Sequence, residues 1–332
     1  MASTRSFPDE AASRVAAVVY NPIKVDLAAV KAAVSAEERD GGWGPTLWFE
    51  TTEEDAGQGA TKEALAAGAG MVIAAGGDGT VRAVAEAVYD SSASLALLPS
   101  GTGNLLARNL SLPLDDLEGS IHTAFTGHDH NIDLALIDIQ GEDQSTTRHA
   151  YVVMAGLGLD AKMLVHTDDD LKKKIGWLAY VSALLAAVRD KEQLHLRYSL
   201  DKGRTRSARV HTLIVGNCGS LPADIVLLPD AAVDDGMFEL VFLRPEGFIG
   251  WLQIAVRIIW ENGVLRRTET GRTFAGPTKR IRALHYAKGS ELTVRFTRAH
   301  DIELDGDSFG TAQALKTWIE PGALTVRLAA ED

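Results

Sequence analysis

The stretch 71–82 restricts the fold more than any other part of the chain. An apolar run, Met71-Val72-Ile73-Ala74-Ala75, feeds directly into Gly76-Gly77-Asp78-Gly79-Thr80 and then into a segment with helical spacing over 81–89. The order is strand, glycine loop, helix. Glycines let the backbone turn tightly and let its N–H groups approach an anion, and the following helix adds its positive N-terminal end. Two or three glycines alone would fit any βα turn. Asp78 and Thr80 add a carboxylate that could orient a metal or take a proton, and a hydroxyl that could bind a phosphate oxygen. The loop is not a Walker A loop, which ends in Gly-Lys-Ser/Thr. Nor is it a Rossmann fingerprint, because Gly68 and Gly70 precede the strand.

The rest of the first half repeats this grammar. Residues 15–20 read as a buried strand ended by Asn21-Pro22, and 26–39 as a helix behind an Asp26 cap. A strand at 46–50, a loop at 55–59, a helix at 60–67 and a strand at 95–98 follow. Pro99-Ser100-Gly101-Thr102-Gly103-Asn104 then leads into a short helix at 105–109. Strand and helix alternating through short connections predict a doubly wound parallel sheet covered on both faces. Ligands of such sheets bind beyond the carboxyl ends of the strands, where Asn21, Thr51 or Thr52, the glycine loop and Thr102 all fall.

From about residue 132 strands dominate, at 132–139, 151–155, 194–200, 208–215, 238–243, 292–296 and 324–328. This predicts a mainly antiparallel β-sandwich domain over 132–332 behind an α/β domain over 1–131, with the C-terminal tail packing back on the first domain. Two apolar helical segments, 175–188 after Lys172-Lys173-Lys174 and 248–260 before Arg266-Arg267, suit either core or a membrane-apposed face. A net charge of -12 argues against nucleic acid as a partner. The one cysteine, Cys218, cannot form an internal disulfide, and no apolar run approaches the roughly 18 residues of a membrane span. With no signal-like N-terminus, a cytoplasmic protein with local, peripheral membrane contact is expected.

Gly76-Gly77-Asp78-Gly79-Thr80, together with Pro99-Ser100-Gly101-Thr102-Gly103-Asn104-Leu105-Leu106-Ala107-Arg108, resembles the diacylglycerol kinase catalytic-domain family of lipid kinases, bacterial members above all. Asn21-Pro22, Asp234-Asp235-Gly236 and Asp305-Gly306-Asp307 extend the resemblance over most of the chain in the right order. It implies a nucleotide-binding α/β domain before a β-sandwich domain, with ATP, Mg²⁺ and a lipid hydroxyl such as that of diacylglycerol as reactants. The lipid would be met at a membrane surface, and a homodimer is an expected assembly. By position, Asn21, Thr52, Gly76, Gly77, Asp78, Gly79, Thr80, Gly101, Thr102 and Asn104 would contact nucleotide. Asp235, with backbone carbonyls of Ala232 and Met237, would hold a structural Mg²⁺. Asp307 would accept the proton, with Asp305 holding metal or orienting the base.

Taken alone, Asp234-Asp235-Gly236 suits a turn and Asp305-Gly306 a hairpin. The chain departs from the family at three places. Asp307 stands for the usual Glu, Leu105 for a frequent acid, and Ile23-Lys24-Val25 for a glycine turn; Lys24 suits a solvated side chain or a cation near phosphate. His128-Asp129-His130 has metal-ligand types in a polar loop, and 57–62 reads as a helix entry. Two other functions are open. One is a kinase of a soluble nucleotide such as NAD, with Asp78 as base; the other is a non-catalytic nucleotide or lipid sensor.

Overall fold

The computed structural model describes residues 15–158, 193–221, 225–245, 250 and 284–329. The apolar segments at 175–188 and 248–260 and their basic flanks lie outside the described residues, apart from Gly250. The chain divides into two compact units, 1–132 with 322–332, and 133–321.

In the first unit the elements run β1 (Ala16–Tyr20), α1 (Leu27–Gly41), β2 (Leu47–Glu50), α2 (Gln58–Ala66), β3 (Met71–Gly76), α3 (Asp78–Val88), β4 (Ser94–Pro99), α4 (Leu105–Asn109) and α5 (Leu117–Thr126). The strands are parallel in the order β2-β1-β3-β4, and Val326 near the chain's end adds a parallel contact to Leu95 of β4. β1 and β3 are buried on both faces, which explains their unbroken apolar runs. Ala16, Val18, Met71, Ile73 and Ala96 pack with Val30 and Val34 of α1 and Ile121 and Phe125 of α5. α2 and α3 pack against each other, and the space at Gly57, before α2, is bounded by Val19, Ala83 and Val84. Because the chain leaves β1 for β2 on one side and returns to β3 on the other, the carboxyl ends of β1 and β3 flank the switch point of the sheet.

Asp26 caps α1 as its type predicts, accepting the N–H groups of Ala28 and Ala29. The glycine stretch is shorter than its sequence suggests. The strand continues through Gly76 and the helix begins at Asp78, because extended Gly77 acts as its N-cap and accepts the Val81 N–H at 3.0 Å. His128-Asp129-His130 opens a strand instead of lying in a loop: β5 runs His128–Gln140, and Asp129 pairs with Arg327 at 3.0 Å.

The second unit takes residues from Asp133 in β5 and continues with β6 (Thr146–Tyr151), β7 (Met154–Leu157), β8 (Leu194–Leu200), β9 (Arg206–Val210), β10 (Thr212–Gly216), β11 (Ser220–Leu221), β12 (Ile225–Val226), β13 (Phe238–Leu243), β14 (Leu284–Gly289), β15 (Glu291–Leu304) and β16 (Asp307–Leu328), the last through Pro321. Its pairings are antiparallel, in the order β14-β13-β10-β7-β15-β16, with β8 on β15, β9 on β8 and β5 on β6. Alternate residues such as Leu194, Leu196 and Tyr198 of β8 and Phe238, Leu240 and Phe242 of β13 share one core. β15 pairs with β8 through Phe296 and with β7 from Ile302, and register shifts between these stretches bend it from one partner to the other. The fold is thus an α/β parallel-sheet domain followed by a mainly antiparallel β-sandwich.

Candidate active site

Registers Tyr20↔Glu50, Tyr20↔Ala75 and Gly76↔Pro99 put Asn21, Thr52, Gly77 and Thr102 at one edge of the first sheet. At its centre two backbones meet. A Cβ on Gly101 would lie 2.7 Å from the Cα of Gly77, and one on Gly77 would lie 2.8 Å from Lys24 Nζ. Gly101 therefore needs glycine's bare backbone, whereas at Gly77 only the tip of a flexible lysine is close; Lys24 brings its ammonium to the start of α3, where the helix dipole already favours an anion. Lys24 is itself exposed, so a solvated side chain and a cation for a phosphate are both compatible with its place beside Gly77.

The loop after β4 is held by its own side chains. Asn104, at φ 47°, accepts the Gly101 N–H through Oδ1 and donates from Nδ2 to the Gly101 carbonyl, both at 2.9 Å. Arg108 Nε donates to the Gly103 carbonyl at 2.7 Å. Asn104, expected to touch nucleotide, and Arg108, a motif residue with no expected role of its own, thus fix the loop's shape. Asp78 ties the loop to α3. Its Oδ1 accepts the Leu105 N–H at 2.6 Å, and its Oδ2 fills the space a Cβ on Gly103 would need. Burial pushes its carboxyl above the usual range, opposed by hydrogen bonds from Leu105 and Asn104 and by the Lys24 charge.

The remaining expected contacts are mostly committed elsewhere. Thr80 is buried with its hydroxyl turned back on Gly76, Asn21 Oδ1 accepts the Ile23 N–H, and Thr52 Oγ1 accepts the Asp55 N–H. Thr102 is exposed, and Gly79 sits in the first turn of α3. The stretch 57–62 is a helix entry with its own anion, since the Asp55 carboxylate accepts N–H groups from Gly57, Gly59 and Ala60.

In the second unit, Asp305 and Gly306 have φ of 51° and 91° and join Leu304 to its partner Asp307. These are the angles a two-residue hairpin turn requires, and they explain Asp-Gly here. The buried Asp305 carboxylate accepts the N–H groups of Val152, Val153 and Met154 at 2.8–2.9 Å. Expected to hold metal or to orient the base, Asp305 has its carboxylate engaged by these three backbone N–H groups, and it secures the break at Val152-Val153, inside the stretch 151–155 that the sequence reads as one strand. Burial, then the Asp305 charge, pushes the Tyr151 hydroxyl and the free Cys218 thiol above their usual ranges. Asp307 is exposed beside the turn, its position fixed by the hairpin.

The Asp235 region does not fit the expected Mg²⁺. Asp235 Oδ2 lies 2.5 Å from Lys288 Nζ, and Oδ1 accepts the Met237 N–H at 3.0 Å. The carboxylate offered to a metal with Ala232 and Met237 already holds an ammonium. Among the described residues no three His, Cys, Asp or Glu side chains gather into a metal site.

Residues 17–137 match the model of the diacylglycerol kinase catalytic domain, and 152–328 match that of the YegS C-terminal NAD kinase beta sandwich-like domain. A protein named "Probable lipid kinase YegS-like" from Pseudomonas aeruginosa (strain UCBPP-PA14) is 30% identical over 91% of this chain and 90% of that one. The Bacillus subtilis (strain 168) protein named diacylglycerol kinase is 26% identical over 74% of this chain and 75% of that one. A solved structure of a diacylglycerol kinase from Bacillus anthracis str. Sterne shares the fold at a TM-score of 0.65, with 19% identity over 94% of this chain and 96% of that one.

Proposed function

This chain belongs to the diacylglycerol kinase catalytic-domain family, with the C-terminal domain of its YegS-like members, and from that premise we propose that it transfers the γ-phosphate of MgATP to a lipid hydroxyl, diacylglycerol first among candidates. The observation that carries the reading is the bare-backbone meeting of Gly77 and Gly101 at the N-terminus of α3 with Lys24 above it. The α3 N–H groups and the Lys24 ammonium supply positive charge to the nucleotide phosphates, and the Gly101–Asn104 loop, held by its own hydrogen bonds, borders the cradle. Mg²⁺ enters with ATP, as part of the substrate. Asp307 accepts the proton of the lipid hydroxyl as its oxygen attacks the γ-phosphorus, and ADP leaves. The lipid is presented at a membrane surface; no helix among the described residues is long and apolar enough to cross one.

The soluble-nucleotide reading needs Asp78 as base. Its buried carboxylate instead receives the Leu105 N–H and binds the loop to the helix, which favours the lipid reading. Labelled phosphate transfer from ATP to diacylglycerol, a sphingoid base, phosphatidylglycerol and NAD in parallel tests the proposal. Product from a lipid alone supports it, product from NAD alone overturns it, and absence of any product overturns the kinase itself.

A further inference from the structure

The turn before β13 gathers negative charge. Asp235 sits in it beside Asp234, and Gly236, at φ 73°, donates its N–H to Asp133 Oδ2 at 2.6 Å. Glu239, only 2% exposed, accepts the Asp230 N–H at 3.0 Å. Two of these acids, Asp133 and Glu239, are buried, where water screens their charge least. Lys288 answers this charge from the neighbouring strand. The β13–β14 register places it directly opposite Glu239, and its ammonium bridges Asp235 Oδ2 at 2.5 Å and the Asp230 carbonyl at 2.7 Å.

We infer that the Lys288 ammonium is the resident structural cation of this turn and replaces the divalent ion that the family resemblance calls for. The ammonium's three donors can satisfy a carboxylate and a carbonyl at once, as the two contacts here show. Mg²⁺ would require near-octahedral oxygen ligands at roughly 2.0–2.1 Å, and seating it on Asp235 would force two cations together or expel the lysine. Lys288 is covalently part of β14, so this cross-link forms with the sheet and does not depend on the supply of metal. The inference does not rest on the kinase reading, since neither ATP nor a lipid is involved.

The test uses the full chain without nucleotide, melted in EDTA and in millimolar MgCl₂, with metal content measured after gel filtration. The parent is expected to carry no stoichiometric Mg²⁺ or Ca²⁺ and to melt at the same temperature in both buffers. Lys288→Met keeps most of the aliphatic stem and removes the charge. It should melt lower in EDTA and recover in MgCl₂, as the vacated carboxylate takes up the ion. Lys288→Arg keeps the charge and should melt independently of Mg²⁺; this variant carries the test should Lys288→Met not fold. One equivalent of metal in the parent, a parent or Lys288→Arg that loses stability in EDTA, or a Lys288→Met variant as stable as the parent in EDTA would overturn the inference.

Discussion

Gly77 and Gly101 are glycines for different reasons, and substitution should separate them. At Gly101 a Cβ meets the Gly77 backbone, so Gly101→Ala must displace the cradle itself. Overpacking of that kind costs about 1–3 kcal/mol and should lower both melting temperature and ATP affinity. At Gly77 the backbone is extended, at φ -91°, and the near atom is the tip of a flexible lysine. Gly77→Ala should therefore stay within about 0.5 kcal/mol of the parent in stability. Gly77→Val should still fold yet lose ATP binding, because its branches occupy the path of the phosphate; unchanged affinity in a titration would count against the cradle. Asp305→Asn replaces one accepting oxygen by an amide and leaves a buried N–H without its partner, a loss of about 1–3 kcal/mol. Its effect should appear in thermal melts and should not be rescued by added Mg²⁺.

Elements whose cause is local were legible in the sequence, and those with a distant cause were not. The Asp26 cap, the buried strands β1 and β3 and the Asp305-Gly306 hairpin follow from neighbouring residues. The interruption at Val152-Val153 does not, because the carboxylate that holds it lies about 150 residues away in sequence. Lys288 on Asp235 was hidden, and Lys24 beside Gly77 was left between two roles, for the same reason: a lysine's sequence neighbours do not say which backbone or carboxylate the fold brings to it. The start of α2 gives a prediction at this scale. Burial raises the Asp55 carboxyl, but N–H groups of Gly59, Ala60, Gly57 and Gln58 more than offset this and hold it below its ordinary 3.8. A depressed folded-state value means that its stabilisation is complete above about pH 4 and disappears as pH falls through the folded value. Asp55→Ala should cost about 0.5–2 kcal/mol at pH 7, in the range of a lost helix cap, and the difference from the parent should shrink in melts below pH 3.8.

For the molecule as a whole, the change from strand–helix alternation to successive strands was enough to give the two fold classes, because each has its own period of apolar residues. Membrane contact belongs to this scale too. Charge reversal of Lys172, Lys173 and Lys174 should weaken sedimentation with anionic vesicles, by about 1 kcal/mol per lysine if all three lie at the surface. Undiminished sedimentation at moderate salt would assign the membrane contact elsewhere. The most direct test of the central claim is labelled phosphate transfer from ATP to diacylglycerol in mixed micelles, with the parent and Asp307→Asn compared at saturating ATP. The parent should label the lipid, and Asp307→Asn should turn over roughly 10²- to 10⁴-fold more slowly with ATP affinity unchanged, while Asp307→Glu keeps activity. A parent that labels no lipid hydroxyl, or an Asp307→Asn variant with parental turnover alongside an inactive Asp78→Asn, would contradict the account.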